Sequence, residues 1–231
     1  MILSIIIPIY NDFKSLSRLL KNLEKQTIFE IYKGEVEVVV VDDGSNVEIR
    51  NKKLEIRELN IKFYRIEHGG ASRARNFGFE KSSGKYIFFC DADVVFLKNN
   101  ALEKMIKTLE ANPDKAYCYS SFKYGFKTFK LFPFDPEKLK QNNYISTMSL
   151  VRREKFPGFD ESLKRFQDWD LWLTLLEKGE TGIYIPEVLW QAKGGGKISK
   201  WLPKIFYKLR FLKSVKEFEK AKEVVKKKHR L

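Results

Sequence analysis

Short, nearly unbroken apolar runs alternate with amphipathic stretches along the first 190 residues, a pattern that predicts an open α/β fold. Ser4-Ile5-Ile6-Ile7 reads as a strand buried on both faces, closed at Pro8 because proline cannot donate to a sheet ladder. Asp12 can cap a helix in which Leu16, Leu19, Leu20 and Leu23 recur at i, i+3, i+4 and i+7, one apolar stripe. A second buried strand over residues 35–41 carries Val38-Val39-Val40-Val41 and ends on Asp42-Asp43-Gly44-Ser45. Two strands flanking one helix make a βαβ unit and a parallel pair.

The same pattern continues downstream. Residues 46–59 hold Val47, Leu54 and Leu59 among many charges and predict a surface helix; residues 61–66 predict a third strand. His68-Gly69-Gly70 turns into a helix with Arg73 and Arg75 near its start, where backbone N–H groups and guanidinium ions suit phosphate oxygens. Residues 86–90 form a further buried run that ends on Asp91-Ala92-Asp93. Side chains at i and i+2 of an extended chain point the same way, so Asp91 and Asp93 can converge on one cation, or on one cation and one sugar hydroxyl. In open α/β sheets ligands gather beyond such strand ends.

After the acidic pair, Asn99 or Asn100 is expected to cap a helix through Leu102, Met105, Ile106 and Leu109. Strands follow over 116–122, 144–151 and 181–185, the last stopped by Pro186. Residues 124–134, aromatic and basic with no clear period, read as a β-ribbon or a mobile loop. Gln167-Asp168-Trp169-Asp170 opens a helix that Leu171, Leu175 and Leu176 carry to Gly179. Acidic residues in a first helical turn also serve the helix dipole, which is their ordinary reason for being there.

Composition narrows the class. With 231 residues, 43% hydrophobic and 14% aromatic, the chain can bury a full core in one domain. No apolar run approaches the roughly 20 residues of a spanning helix. The apolar start lacks a basic n-region and a cleavage site, so a first strand explains it better than a signal peptide. Cys90 and Cys118, both in apolar strand-like surroundings, fit a reduced cytosolic compartment with no zinc site. Of the net charge of +14, residues 200–231 supply +9 from 12 Lys/Arg against three Glu. The body is nearly ordinary and the tail is basic. Leu202, Ile205, Phe206, Leu209 and Leu212 fall on one helical face there. Such a helix suits an anionic lipid surface, at about 1 kcal/mol per basic residue, or else packs on the domain.

Taken together, Ile5-Ile6-Ile7-Pro8-Ile9-Tyr10-Asn11, Val40-Val41-Asp42-Asp43-Gly44-Ser45, Ala74-Arg75-Asn76-x-Gly78, Asp91-Ala92-Asp93 and Gln167-Asp168-Trp169-Asp170-Leu171 stand in a telling order. The chain resembles the family-2 nucleotide-sugar glycosyltransferases of the GT-A fold over residues 2–190. The resemblance implies a Rossmann-like, mixed, mainly parallel sheet flanked by helices. It divides the chain into a transferase domain over 1–198, with a nucleotide-binding half (1–98) and an acceptor half (99–198), and a basic amphipathic helical tail over 199–231. It implies donor contacts at Pro8, Tyr10, Asn11, Asp43, Arg75, Asp91 and Asp93, a Mn²⁺ or Mg²⁺ ion on Asp93 and Asp91, Asp168 as general base, and Trp169 and Asp170 on the acceptor side.

The activity so implied is inverting transfer from a nucleotide diphosphate sugar, a UDP-sugar by preference, to a glycan or lipid-linked acceptor hydroxyl. It would take place in the cytoplasm, with peripheral contact at the inner membrane face through 201–231. One departure concerns the metal: similar enzymes often add a late histidine, whereas His68 and His229 are the chain's only two and neither falls there. Lys193 or Lys197, in Gln191-Ala192-Lys193-Gly194-Gly195-Gly196-Lys197, could neutralise the diphosphate instead. A retaining transferase and a basic nucleic-acid-binding protein remain as alternatives, the latter disfavoured because the excess charge is confined to the tail. The glycine-rich basic loop of a nucleotidyltransferase is missing after the first strand.

Overall fold

A computed structural model describes residues 1–47, 59–193 and 213–231. The sheet begins with four parallel strands in the order β3-β2-β1-β4: β1 is Leu3–Ile9, β2 Val36–Asp43, β3 Asn60–Ile66 and β4 Tyr86–Phe89. The helices between them are α1 (Phe13–Leu23), a short α2 (Ile28–Ile31) and α3 (Ala71–Glu80). The β-branched runs explain why these strands are central. Every residue of β2 is buried, and alternate side chains serve two different cores.

On one face Ile5, Ile7, Val38, Val40 and Phe88 pack under the α1 leucines Leu16, Leu19, Leu20 and Leu23, all fully buried. Helix α4 (Ala101–Glu110) joins that face through Leu102, Met105, Ile106 and Leu109, the stripe expected from its periodicity. On the other face Ile6, Val39, Val41, Ile87 and Phe89 meet Ala74 of α3 and the two tryptophans of α6 (Gln167–Glu177), Trp169 and Trp172. Gly78 lets α3 lie close on the sheet, since a Cβ there would stand 2.4 Å from Ile6 Cγ2.

The second half of the sheet is built differently. Strand β8 (Leu150–Arg152) pairs antiparallel with β4 and β6 (Tyr117–Tyr124), β6 runs parallel to β9 (Gly182–Ala192), and β5 (Val94–Phe96) closes the edge antiparallel to β9. Most residue pairs in the whole sheet are parallel, as the sequence pattern led one to expect.

Several expectations need correction. The strand placed over 144–151 shrinks to Leu150–Arg152. The last strand does not stop at Pro186 but runs to Ala192, because two register shifts against β6, around Ser121, let the ring sit where no ladder bond is required. Residues 124–134 contain the short strand β7 (Lys127–Phe129), hairpinned onto β6. Helix α5 (Pro136–Gln141) was not foreseen, although Asp135 caps it at Lys138 N and Pro136 opens it.

Of the surface helix expected over 46–59, residues 48–58 lie outside the described residues, as does the amphipathic stretch over 201–212. The last helix, α7 (Lys213–Lys228), packs on the domain with Val215 and Val225 buried. No helix among the described residues is long and apolar enough to cross a membrane.

Candidate active site

Four adjacent parallel strands deliver their C-terminal ends to one rim of the sheet. Ile9 stands opposite Asp42, Asp43 opposite Ile66, and Cys90 N donates to Ile6 O at 2.8 Å. Pro8 does not close the strand as expected but stays within β1, paired with Val41, and Tyr10 and Asn11 leave the sheet just past Asp42. Asn11 takes the left-handed backbone, φ 53°, that asparagine tolerates. Its N–H donates to Ser45 Oγ and its side-chain oxygen accepts from Asn46 N, both at 2.8 Å, which fastens the loop after β1 to the loop after β2.

Asp43 is nearly buried. Its two oxygens accept from Gly69 N at 2.8 Å and Gly70 N at 2.9 Å, and Nδ1 of His68 lies 2.9 Å from Oδ2. The carboxylate thus shapes the glycine turn that starts α3, and Oδ1, with one partner against two for Oδ2, keeps a further lone pair for a ligand. The same bonds hold the His68 ring stacked on Tyr10, centroids 4.3 Å apart. Tyr10 is 41% exposed, so this ring pair forms an open aromatic platform at the rim. Sequence reasoning missed His68 here; the nearby Asp-Asp and Gly-Gly turns carried no signal that the two loops would meet.

Arg75 projects from α3 into the acidic pair. Nη2 donates to Asp91 Oδ1 at 2.6 Å, and the guanidinium also lies 5.5 Å from the centroid of the Phe159 ring. Its Nε is buried and has no hydrogen-bond partner among the described residues. Asp93 is half-buried, and its carboxyl is pushed up to about 6, first by burial and then by the negative charges of Asp91 and Asp12, with Arg18 opposing. A half-buried carboxyl beside a second acid is stabilised in its ionised form by a nearby cation. Two carboxylates supply only part of an oxygen shell, and the described residues hold no cluster of three or more His, Cys, Asp or Glu. The donor set fits a hard divalent ion that takes its remaining ligands from phosphate oxygens and water. Lys193 N donates to Asp93 O at 3.2 Å, which brings Lys193 to this rim; Lys197 lies outside the described residues.

Asp168 sits in the first turn of α6, after Phe166 turns the chain at φ 62°. Burial raises its carboxyl above the ordinary value, while the Trp169 N–H, the Asn143 side chain and the charge of Arg75 pull the other way. Arg75 therefore acts on Asp91 at the end of β4 and on Asp168 at the start of α6, two acids separated by 77 positions in the chain. Asn143 carries no motif and was missed.

Trp169 and Asp170, expected beside an acceptor, are both buried. The Trp169 indole N–H donates to Leu139 O at 2.6 Å, and Asp170 Oδ1 meets Lys228 Nζ at 2.7 Å and His229 Nε2 at 2.9 Å. The structure turns both into packing with α5 and α7.

The model of Glycosyl transferase family 2 matches residues 4–167, which span the strand ends, the Arg75 helix and the acidic pair. The chain belongs to glycosyltransferase family 2. An uncharacterized glycosyltransferase of Haemophilus influenzae is 30% identical over 196 residues, covering 76% of this chain and 62% of that protein. The Escherichia coli protein named UDP-Glc:alpha-D-GlcNAc-diphosphoundecaprenol beta-1,3-glucosyltransferase WfgD is 27% identical over 184 residues, covering 76% of this chain and 70% of that one.

Residues 1–349 of Staphylococcus aureus TarS in complex with UDP-GlcNAc superpose with a TM-score of 0.70 at 21% identity, over 90% of this chain and 64% of that one. The mannosyltransferase PcManGT of Pyrobaculum calidifontis, in complex with GDP-Man and Mn²⁺, gives 0.65 at 19%, over 83% and 56%. These likenesses show the GT-A fold. The chain spans only 27% of the length of an uncharacterized glycosyltransferase of Rickettsia bellii that it also matches.

Proposed function

We propose that this family-2 glycosyltransferase domain moves a sugar from a nucleotide diphosphate donor, a UDP-sugar by preference, to the hydroxyl of a glycan or lipid-linked acceptor, with inversion. The observation that carries the reading is the Arg75–Asp91 ion pair at 2.6 Å, beside the half-buried Asp93 and just past the ends of the parallel strands. A UDP-sugar donor is supported by the name of the E. coli relative and by the ligand of TarS, and a lipid-linked acceptor by the name of the E. coli relative.

In this reading the base lies on the Tyr10–His68 platform, with Asp43 and the Gly69-Gly70 turn behind it. The Arg75 guanidinium, held on Asp91, brings positive charge to the side of the cleft where the ribose and diphosphate would lie. Asp93 and Asp91 would hold the divalent cation, which offsets the negative charge that grows on the leaving diphosphate. Asp168 accepts the acceptor's hydroxyl proton as that oxygen forms its bond to the anomeric carbon. The bond from that carbon to the diphosphate oxygen breaks on the opposite side, and its electron pair leaves with the nucleotide. A raised carboxyl makes Asp168 a stronger base than an exposed aspartate. The basic tail beyond residue 199 supports peripheral contact with an anionic membrane face.

The test is thermal-shift screening with UDP-, GDP- and other nucleotide sugars, with Mn²⁺ or Mg²⁺ and with chelator, followed by product analysis. Cation-dependent stabilisation by one nucleotide class and an inverted product are expected. No shift with any donor, or a retained anomeric configuration, rejects the reading.

A further inference from the structure

The family match ends at residue 167, yet the segment that grips the start of α6 comes from the far end of the chain. Helix α7 touches the turn bearing Asp168 on both sides. Before it, the Phe218 ring packs edge-on against Phe166, centroids 5.0 Å apart. After it, Lys222 Nζ lies 6.0 Å from the centroid of the Trp169 ring. One residue further, the buried Asp170 carboxylate takes its cationic partners from the last turn of α7 and the residue beyond it. Lys228 Nζ stands 2.7 Å from both Asp170 Oδ1 and Asp160 Oδ2, and the buried His229 ring bridges Asp170 and Glu177 at 2.9 and 2.8 Å. α7 also reaches the opposite wall. Lys222 Nζ donates to Asn142 Oδ1 at 2.7 Å, and the next residue, Asn143, bonds to the Asp168 carboxylate.

A solvated surface helix would need none of this. A buried carboxylate stripped of its partners is strongly destabilising, so Asp170 commits α6 to the docked position of α7. Because Asp170 lies two residues from Asp168 on the same helical turn, the dock fixes the direction in which Asp168 leaves the helix. We propose that α7 is a positioning brace for the general base, with His229 and Lys222 holding the two walls between which Asp168 and Asn143 meet. The proposal rests on Asp168 being that base. The geometry also makes the tail part of the catalytic unit, beyond any contact with a membrane.

The test compares His229→Phe, His229→Gln and Lys222→Met in the full chain, reading kcat, donor KM, the pH–rate profile and thermal stability, with Asp168→Asn alongside. Lys222 is only half-buried, so its variant keeps the core intact even where His229→Phe is poorly folded. Misplacing a reacting group by a fraction of an ångström is expected to lower kcat about tenfold in Lys222→Met and His229→Phe. Donor KM should stay within about twofold, because the donor side is untouched. The acidic limb of the rate profile should move in the same variants. His229→Gln, which keeps one donor for Asp170, should recover part of the loss. Wild-type kcat and an unmoved limb in Lys222→Met and His229→Phe, at temperatures well below their melting points, would overturn the brace even with Asp168→Asn inactive. Transfer that survives in Asp168→Asn overturns the base assignment and the brace with it.

Discussion

Arg75 Nη2 donates to Asp91 Oδ1 at 2.6 Å from a side chain that is only 8% exposed. The guanidinium is held in place by one strong partner, and its planar fork presents charge to the rim in a fixed orientation. Its charge also favours the ionised form of Asp168 at the start of α6. Arg75→Lys keeps the charge but loses the fork. Transfer should fall at least about tenfold through both donor KM and kcat, measured by steady-state kinetics over a donor series. Unchanged kinetics would remove Arg75 from the cleft.

Asp93 is expected to report cation binding directly. Its carboxyl stands at about 6 in the cation-free protein, and a bound cation favours the ionised form. Affinity for the cation–nucleotide pair should therefore fall as the pH drops below about 6, and Asp93→Asn should abolish that dependence along with most of the cation effect. Calorimetric titration of UDP with and without Mn²⁺, at pH 7.5 and pH 5, decides it; equal affinities throughout would contradict the assignment.

The rate profile should carry the mark of Asp168. A base acts only when deprotonated, and burial raises this carboxyl above the ordinary aspartate value of about 4. The rate of transfer should thus rise with pH along a limb displaced upward from that value. Measured kcat that stays flat down to pH 4 would rule out Asp168 as the base.

The aromatic platform makes a separate claim. Tyr10→Ala removes one ring of the Tyr10–His68 stack, and a stacking contact is worth about 1 kcal/mol. Donor affinity should fall roughly fivefold to tenfold, while kcat at saturating donor holds. A loss of kcat with donor affinity intact would move Tyr10 out of the donor site.

Away from the site, Glu37 anchors the opposite end of β2. Burial would raise its carboxyl, but Lys62, Ser4 and Ser83 outweigh it and hold it at about 2, below the usual 4.5. A depressed carboxylate stabilises the fold above its unfolded value. That contribution, of roughly 3 kcal/mol at most, is lost as the pH falls from about 4.5 toward 2. Glu37→Gln should lower stability at neutral pH and flatten that acid dependence in denaturant titrations. Parallel pH curves for the two proteins would contradict the network.

How much of this was legible follows from the range over which each feature acts. The Leu16-Leu19-Leu20-Leu23 stripe and the valines of β2 advertise themselves because periodicity is a local property, and both are buried where the pattern put them. Asp91 and Asp93 stood out for the same reason, at the end of an apolar run. Pro186 misled because a proline rule made for regular ladders does not hold at a bulge, and the bulge is set by β6, more than sixty residues earlier. His68, Asn143 and the Lys228–His229 pair gain their meaning from partners far along the chain, so no local pattern marks them. Asp170 was read as acceptor-facing from its place in a motif, whereas the helix turns it to the opposite side from Asp168 and onto the tail.

The most direct measurement is the comparison of wild type with Asp168→Asn in two quantities at once, the rate of sugar transfer and the affinity for nucleotide donor with cation. A fall in kcat of about 10² to 10⁴ with donor affinity within twofold is the expected result, since a general base contributes in that range and does not touch the nucleotide. Near-normal transfer, or loss of donor binding in parallel with activity, would contradict the account.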